Sequence, residues 1–534
     1  MTGTRLLIHD GSIVDGSGGA PFRGSVVVEG TRIAAVLPEG APVPSDLERI
    51  DAAGRALCPG FIDVHTHSDL SPFVEPWMDS ALRQGITTVV VGNCGASPWP
   101  VAGAPEMAVL TGVEPASIPA TWPGFGAYLA AVDACHPALN VAALVGHGAV
   151  RQEILGTERR PPDPAELGRM RSVVREAMAD GAAGLSTGLV YIPGMYANTD
   201  EIVALAEETS RHGGVYASHI RGEGVLLFDS VREAIEIGRR AGVPTHVSHL
   251  KLEGAGVWGR GTELLELLDR AREDGHDTTA DQYPYTAWES ELWSLLPPWA
   301  PPEALTEVLA DPSERDRLEH AVAEGEPGWQ SSIDGVGWDR IIVSTHSGDA
   351  STQGRSIADI ARERGTDPFD AATALLVADR DTGVIGHAMR EEDVRQICAR
   401  NDVLVASDST AMSPAGPLGA APVHPRTYGT FPRVLGPYVR EGVLSLTAAV
   451  RKMTALPAER FGLVGRGTIA AGSFADLVLL DPSRVADRAG FGAPHAFPDG
   501  IDLVMVGGAT AWSAAQGNGE RVGRTLKRGG SPTA

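Results

Sequence analysis

The chain has 534 residues, of which 43% are hydrophobic, so it can bury a large core and does not read as disordered. It carries 44 basic and 68 acidic residues, a net charge of −24, which argues against nucleic acid or an anionic membrane as partner. Its four cysteines (Cys58, Cys94, Cys135, Cys398) are too few and too scattered for a disulfide framework, which fits a reducing, cytoplasmic setting. The N-terminal residues carry no signal-peptide pattern, and no apolar run is long enough to span a bilayer.

Residues 1–57 read as all-β. Short apolar runs (Leu6-Leu7-Ile8, Ser12-Ile13-Val14, Ser25-Val26-Val27-Val28, Arg32 to Val36) are separated by Asp10-Gly11, Asp15-Gly16 and Glu29-Gly30. From about Pro59 the rhythm changes to apolar strands alternating with helical patterns, which predicts βα units around a parallel sheet. Eight strands are predicted: 61–67, 87–91, 141–145, 182–186, 215–218, 245–249, 277–281 and 403–407. Eight such units predict an α/β, (β/α)8 TIM-like barrel over residues 58–461. Helices are predicted over 164–179, 200–211, 228–241 and 261–274.

The seventh unit is too long for a simple crossover. Residues 288–340, rich in Pro and Trp, predict an inserted subdomain, either a lid over the barrel mouth or an ornament with no catalytic part. Residues 462–518 return to strands and turns and are expected to complete the N-terminal sheet as a small β-sandwich built from both chain ends. Residues 519–534, basic and glycine-rich, are expected to be a flexible tail.

Barrels of this kind place their chemistry at the C-terminal ends of the strands. The first strand ends in His65-Thr66-His67; positions two apart share a face, so both imidazoles can grip one metal ion. The second is followed by Asn93-Cys94-Gly95, the fifth by His219, the sixth by His249, and the eighth by Asp408. Histidines with one thiolate and one carboxylate suit zinc, and zinc-bound water becomes a hydroxide able to attack a carbonyl. Asp408 is placed to take the water's proton and hand it to a leaving amine. Asp69 is placed to orient an imidazole from behind.

These motifs, with Gly146-His147-Gly148, Leu185 to Leu189, Tyr283-Pro284-Tyr285, His424-Pro425-Arg426 and Gly472 to Val478, resemble the amidohydrolase superfamily. The cysteine form resembles its D-aminoacylase (N-acyl-D-amino-acid deacylase) branch. That resemblance implies zinc-dependent hydrolysis of a small-molecule N-acyl-D-amino acid. It assigns Cys94, His219 and His249 to a tightly bound zinc, and His65, His67 and Asp408 to a second, weaker position. It assigns Asp408 as general base and then acid, and gives Cys94 the bridging place filled elsewhere by a carbamylated lysine. It assigns Lys251, Tyr283 and Arg426 to the substrate's α-carboxylate, with Arg426 as main anchor, and Tyr191 to closing the pocket. The alternatives are an amidohydrolase for another linear or cyclic amide, dihydroorotase- or hydantoinase-like, and a non-catalytic scaffold. The sequence departs from the branch after Tyr285, where Thr286-Ala287-Trp288-Glu289-Ser290 sets an acid beside the expected carboxylate pocket.

Overall fold

The structure, a computed structural model, describes residues 5–43, 47–100, 107–108, 113–114, 117–118 and 122–530. The fold is mixed α/β. Its centre is a run of parallel strands. Phe61–Asp63, Ile86–Val91 and Asn140–Ala143 pair in that order. After Leu144 the chain resumes as Val145–Gly146, which pairs with Gly184–Gly188, and the series continues through Val215–His219, Thr245–Val247, Thr278–Gln282 and Val403–Val405. The last strand then returns to the first: Thr66 bridges Ser409 in parallel, Asp408 N–H donates to His65 C=O at 2.9 Å, and Ser407 N–H donates to the Asp63 carboxylate at 3.0 Å. Ile86–Val91 is buried at every residue, as a parallel strand covered on both faces must be.

The connecting helices begin and end where local chemistry directs. Asp163 and Glu166 form a capping box with Pro164 in the first turn, and Gly181 closes Pro164–Asp180 in a left-handed conformation. Asn198 caps Thr199–Arg211 through Glu201 N–H. Leu227–Ala241 and Gly261–Glu273 each bury one face.

Both chain ends share one nine-stranded sheet. Ala56–Pro59 lies between Arg5–Ile13 and Leu477–Leu480, joining strands from the two ends of the chain. Gly60 then turns the chain directly into Phe61–Asp63. A Cβ there would meet the Thr87 side chain at 2.2 Å, so only glycine lets the sheet approach the central strands so closely.

Two sequence expectations need correction. The inserted segment does not end at residue 340. Trp288–Glu291, Ile341–Thr345 and Gly383–Gly386 form one antiparallel sheet, and one apolar cluster runs from Tyr283 to Val394. Locally, a strand at 341 followed by helices reads like another βα unit; only its antiparallel pairing sets it apart. Nor are residues 519–530 a flexible tail. Thr525–Leu526 pairs in parallel with Val141 and Ala142, and Arg528 N–H donates to Gly181 C=O at 3.2 Å. The edge of Asn140–Ala143, left open where the chain bends at Leu144, offers the backbone partners that a basic, glycine-rich composition does not reveal. Residues 531–534 lie outside the described residues.

Candidate metal centre

The strand ends deliver their side chains under backbone strain. Among the described residues, seven non-glycine residues have positive φ, and three of them are Cys94 (53°), His249 (35°) and Asp408 (51°). Side-chain-bearing residues adopt this region at a cost that the surrounding structure must hold in place. Around Cys94 the holding is visible. Asn93 donates to Val90 C=O at 2.9 Å, Gly95 N–H donates to Ser186 Oγ at 3.0 Å, and a Cβ on Gly188 would strike Cys94 C=O at 2.0 Å. Asp63 ties the first strand to the last by accepting from both His65 N–H and Ser407 N–H.

The side chains converge. Cys94 Sγ lies 3.2 Å from His65 Nε2, 3.5 Å from His249 Nε2 and 3.7 Å from His219 Nδ1. Asp408 Oδ1 lies 3.2 Å from His67 Nε2 and 3.4 Å from His65 Nε2. Two groups result, His65–His67–Cys94–Asp408 and Cys94–His219–His249, each with ligand atoms within 4.8 Å of one another, and Cys94 belongs to both. Burial opposes ionisation of the Cys94 thiol. The charge on His65 and hydrogen bonds with His219, His249 and His65 nevertheless hold it well below its ordinary value. Asp408 is likewise held well below the usual carboxylate range: burial opposes, and Arg426, His65 and His249 prevail.

This donor set fits zinc. Zinc–sulfur bonds of about 2.3 Å and zinc–nitrogen bonds of about 2.0–2.1 Å at a tetrahedral angle place sulfur and nitrogen roughly 3.6 Å apart. The separations to His249 and His219 are 3.5 and 3.7 Å. A cation here would take over the charge balance that protons on the imidazoles otherwise provide.

Two carboxylates behind the ligands were given no role by the sequence. Asp281 accepts from His249 N–H at 2.7 Å, lies 2.8 Å from His246 Nε2 and 3.4 Å from His65 Nδ1. Glu223 lies 2.9 Å from His249 Nδ1 and accepts from Lys251 Nζ at 2.5 Å. Burial opposes the charge on both; Lys251 and His249 hold Glu223 ionised, and His65 and His246 do so for Asp281. Each fixes an imidazole so that its other nitrogen faces Cys94. Asp281 lies at the end of the strand predicted over 277–281. Glu223 lies in a loop four residues after His219, where no periodicity points to it. Asp69 does not take this part. Neither of its carboxylate oxygens has a side-chain partner among the described residues, and burial, against the charge of the nearby His67, pushes the carboxyl up to about 7. The chain has already turned off the strand direction at residue 69.

A cavity of about 750 Å³ opens over the cluster. Nine of the ten sequence-predicted residues line it: His67, Cys94, Tyr191, His219, His249, Lys251, Tyr283, Asp408 and Arg426. His65 lies behind them, fully buried. Tyr191 packs its ring 4.9 Å from that of His219 and 6.4 Å from Trp293 of the inserted segment. The two expected cationic anchors are already engaged: Lys251 with Glu223, and Arg426 with Asp408 Oδ2 at 2.7 Å. The Tyr283 hydroxyl and Arg426 Nε are buried and have no hydrogen-bond partner.

The chain is similar over nearly its whole length to known proteins. The amidohydrolase family model matches residues 48–511. A D-aminoacylase of Alcaligenes xylosoxydans xylosoxydans is 36% identical over 98% of this chain and 97% of its own length. An N-acyl-D-glutamate deacylase of the same organism is 38% identical, with the same coverage. The crystal structure of an N-acyl-D-glutamate deacylase from Bordetella bronchiseptica, complexed with zinc and a phosphonate mimic of the tetrahedral intermediate, superposes with a TM-score of 0.81. It is 35% identical and covers 98% of this chain and all of that one.

Proposed function

The chain belongs to the amidohydrolase family, and on that footing we propose that it is a zinc-dependent deacylase that hydrolyses the amide bond of N-acyl-D-amino acids. Water adds across the C–N bond, releasing a carboxylate and a free D-amino acid. The observation that carries the reading is the convergence of Cys94, His219 and His249 at separations suited to one zinc ion. These three would hold the tighter ion, and His65, His67 and Asp408 would hold a weaker one beside it. When bound, zinc supplies a Lewis acid and lowers the pKa of water.

The remaining work falls to the chain's own side chains. Asp408, ionised and facing the cluster, accepts the proton of the attacking water and returns it to the leaving nitrogen. The unpartnered Tyr283 hydroxyl and Arg426 Nε supply donors for the substrate's α-carboxylate, with Lys251 adding positive charge. Tyr191 closes the pocket against His219.

The same reading extends to architecture. The returning circuit of parallel strands is a (β/α)8 barrel, the sheet shared by the chain ends is the accompanying β domain, one nine-stranded sheet in place of the expected sandwich of two, and the inserted segment is the lid. Contacts of the insert with the strand-end loops support this last point: Tyr196 donates to Pro298 C=O at 3.0 Å, and Gln330 accepts from Gly224 N–H at 3.0 Å. Four free cysteines support a reducing compartment. Among the described residues no helix is long and apolar enough to cross a membrane. The test is metal analysis of the purified protein with hydrolysis of matched N-acetyl-D- and N-acetyl-L-amino acids. Near-stoichiometric zinc and turnover of the D series alone are expected; equal turnover of both series, or none of the D series, contradicts the reading.

A further inference from the structure

Charge on the cavity wall is unevenly satisfied. Beyond the cluster, the basic side chains facing inward are matched: Lys251 by Glu223, Arg426 by Asp408, and Arg221 by Glu233. Among the described residues, Glu253, Glu289, Glu291, Glu303 and Asp381 line the cavity outside any ion pair, as does one base, Arg380, exposed at the rim; Arg426 attracts Glu289 and Lys251 attracts Glu253 from farther off.

Glu289 and Glu291 are the pair nearest the chemistry. Both sit on the edge strand Trp288–Glu291, two residues apart and therefore on one face. Trp288, on the other face, packs against Gly386 in the core of the inserted segment. Both glutamates line the cavity, as do Trp288 and Ser290 of the same strand. Among the described residues, Glu289 accepts from His424 N–H at 3.4 Å and Glu291 from Ser290 Oγ at 3.4 Å. Burial pushes both carboxyls up from the ordinary glutamate value, with Arg426 opposing at Glu289 and His67 opposing at Glu291. That a ligand enters the cavity is indicated apart from the acids by Tyr283, a lining residue 2% exposed whose buried hydroxyl has no partner among the described residues and is taken above for the α-carboxylate.

We propose that Glu289 and Glu291 form the side-chain subsite and select a cationic substrate side chain, as in N-acyl-D-lysine or N-acyl-D-arginine. The proposal rests on the deacylase reading given above. An ammonium or guanidinium between the two carboxylates supplies the charge the wall lacks, whereas an acidic side chain meets like charge in a partly desolvated site.

The test is kcat/KM of the zinc-loaded full-length chain on N-acetyl-D-lysine, N-acetyl-D-norleucine and N-acetyl-D-glutamate. Lysine is expected to exceed its apolar counterpart norleucine by about tenfold or more, and glutamate by about a hundredfold. In the E289Q/E291Q variant, the lysine-to-norleucine ratio is expected to fall toward unity. A wild-type enzyme that turns over norleucine or glutamate as well as lysine overturns the subsite and leaves the deacylase reading standing. A lysine preference that the double variant leaves in place removes the two glutamates from the role. No turnover of any D-substrate overturns both proposals.

Discussion

The cavity has two walls of different origin. The first is the rim of parallel strands, where Cys94, His249 and Asp408 sit at positive φ and every candidate ligand contacts another charged or imidazole group. The second is the inserted segment, whose cavity-facing Glu289, Glu291 and Trp293 form no ion pair among the described residues and few hydrogen bonds. The strand rim is over-determined; the insert is not. In the proposed reading, strands with carboxylates behind the candidate ligands set the chemistry, and a segment with its own apolar core sets what the chemistry acts on.

Variants can break or sharpen that contrast. The largest effect is expected at the rim. Cys94→Ala is expected to lose most bound zinc and to lower kcat by more than about 10,000-fold, read by metal analysis and steady-state kinetics with circular dichroism confirming the fold. Asp408→Asn is expected to fold and to lose about 100- to 10,000-fold in kcat. Glu223→Gln, one step behind the ligands, is expected to weaken zinc binding about 10- to 100-fold in chelator competition. On the opposite wall, Trp293→Ala is expected to raise KM about two- to tenfold while leaving zinc affinity unchanged. A Trp293 variant that lost zinc would erase the distinction between the walls.

A smaller and purely structural effect lies outside both walls. Glu208 ties Thr199–Arg211 to Pro164–Asp180 through Arg171 and Arg175, and also meets Arg211. Burial raises its pKa, but hydrogen bonds from Arg211, Arg175 and Arg171 outweigh this and hold it at about 2. Its folded pKa is thus below the unfolded value of about 4.3. Its contribution is present above that value and is lost as pH falls from about 4.3 toward about 2. Glu208→Gln is expected to cost about 1–3 kcal/mol at pH 7, measured by denaturant unfolding, with the gap from wild type closing across that window.

The central strands and the candidate ligands at their ends were legible because period-two patterning and strand-end histidines are local signals. The helices predicted at 164–179 and 261–274 fall within a residue of Pro164–Asp180 and Gly261–Glu273, since capping residues and apolar faces sit in the sequence itself. What escaped depends on distant pairing. Glu223 reaches His249 only once two strand-end loops lie side by side. The insert's true extent rests on Gly383–Gly386 pairing with Trp288–Glu291, nearly a hundred residues earlier in the chain, and the C-terminal strand on an edge at Val141. The engagement of Arg426 with Asp408 could not be read from either motif alone.

The most direct measurement is zinc-edge X-ray absorption on the zinc-loaded protein. One sulfur neighbour at about 2.3 Å with nitrogen or oxygen neighbours at about 2.0–2.1 Å, the sulfur shell disappearing in Cys94→Ser, is the expected result. A shell of nitrogen and oxygen alone in the wild-type protein would contradict the account.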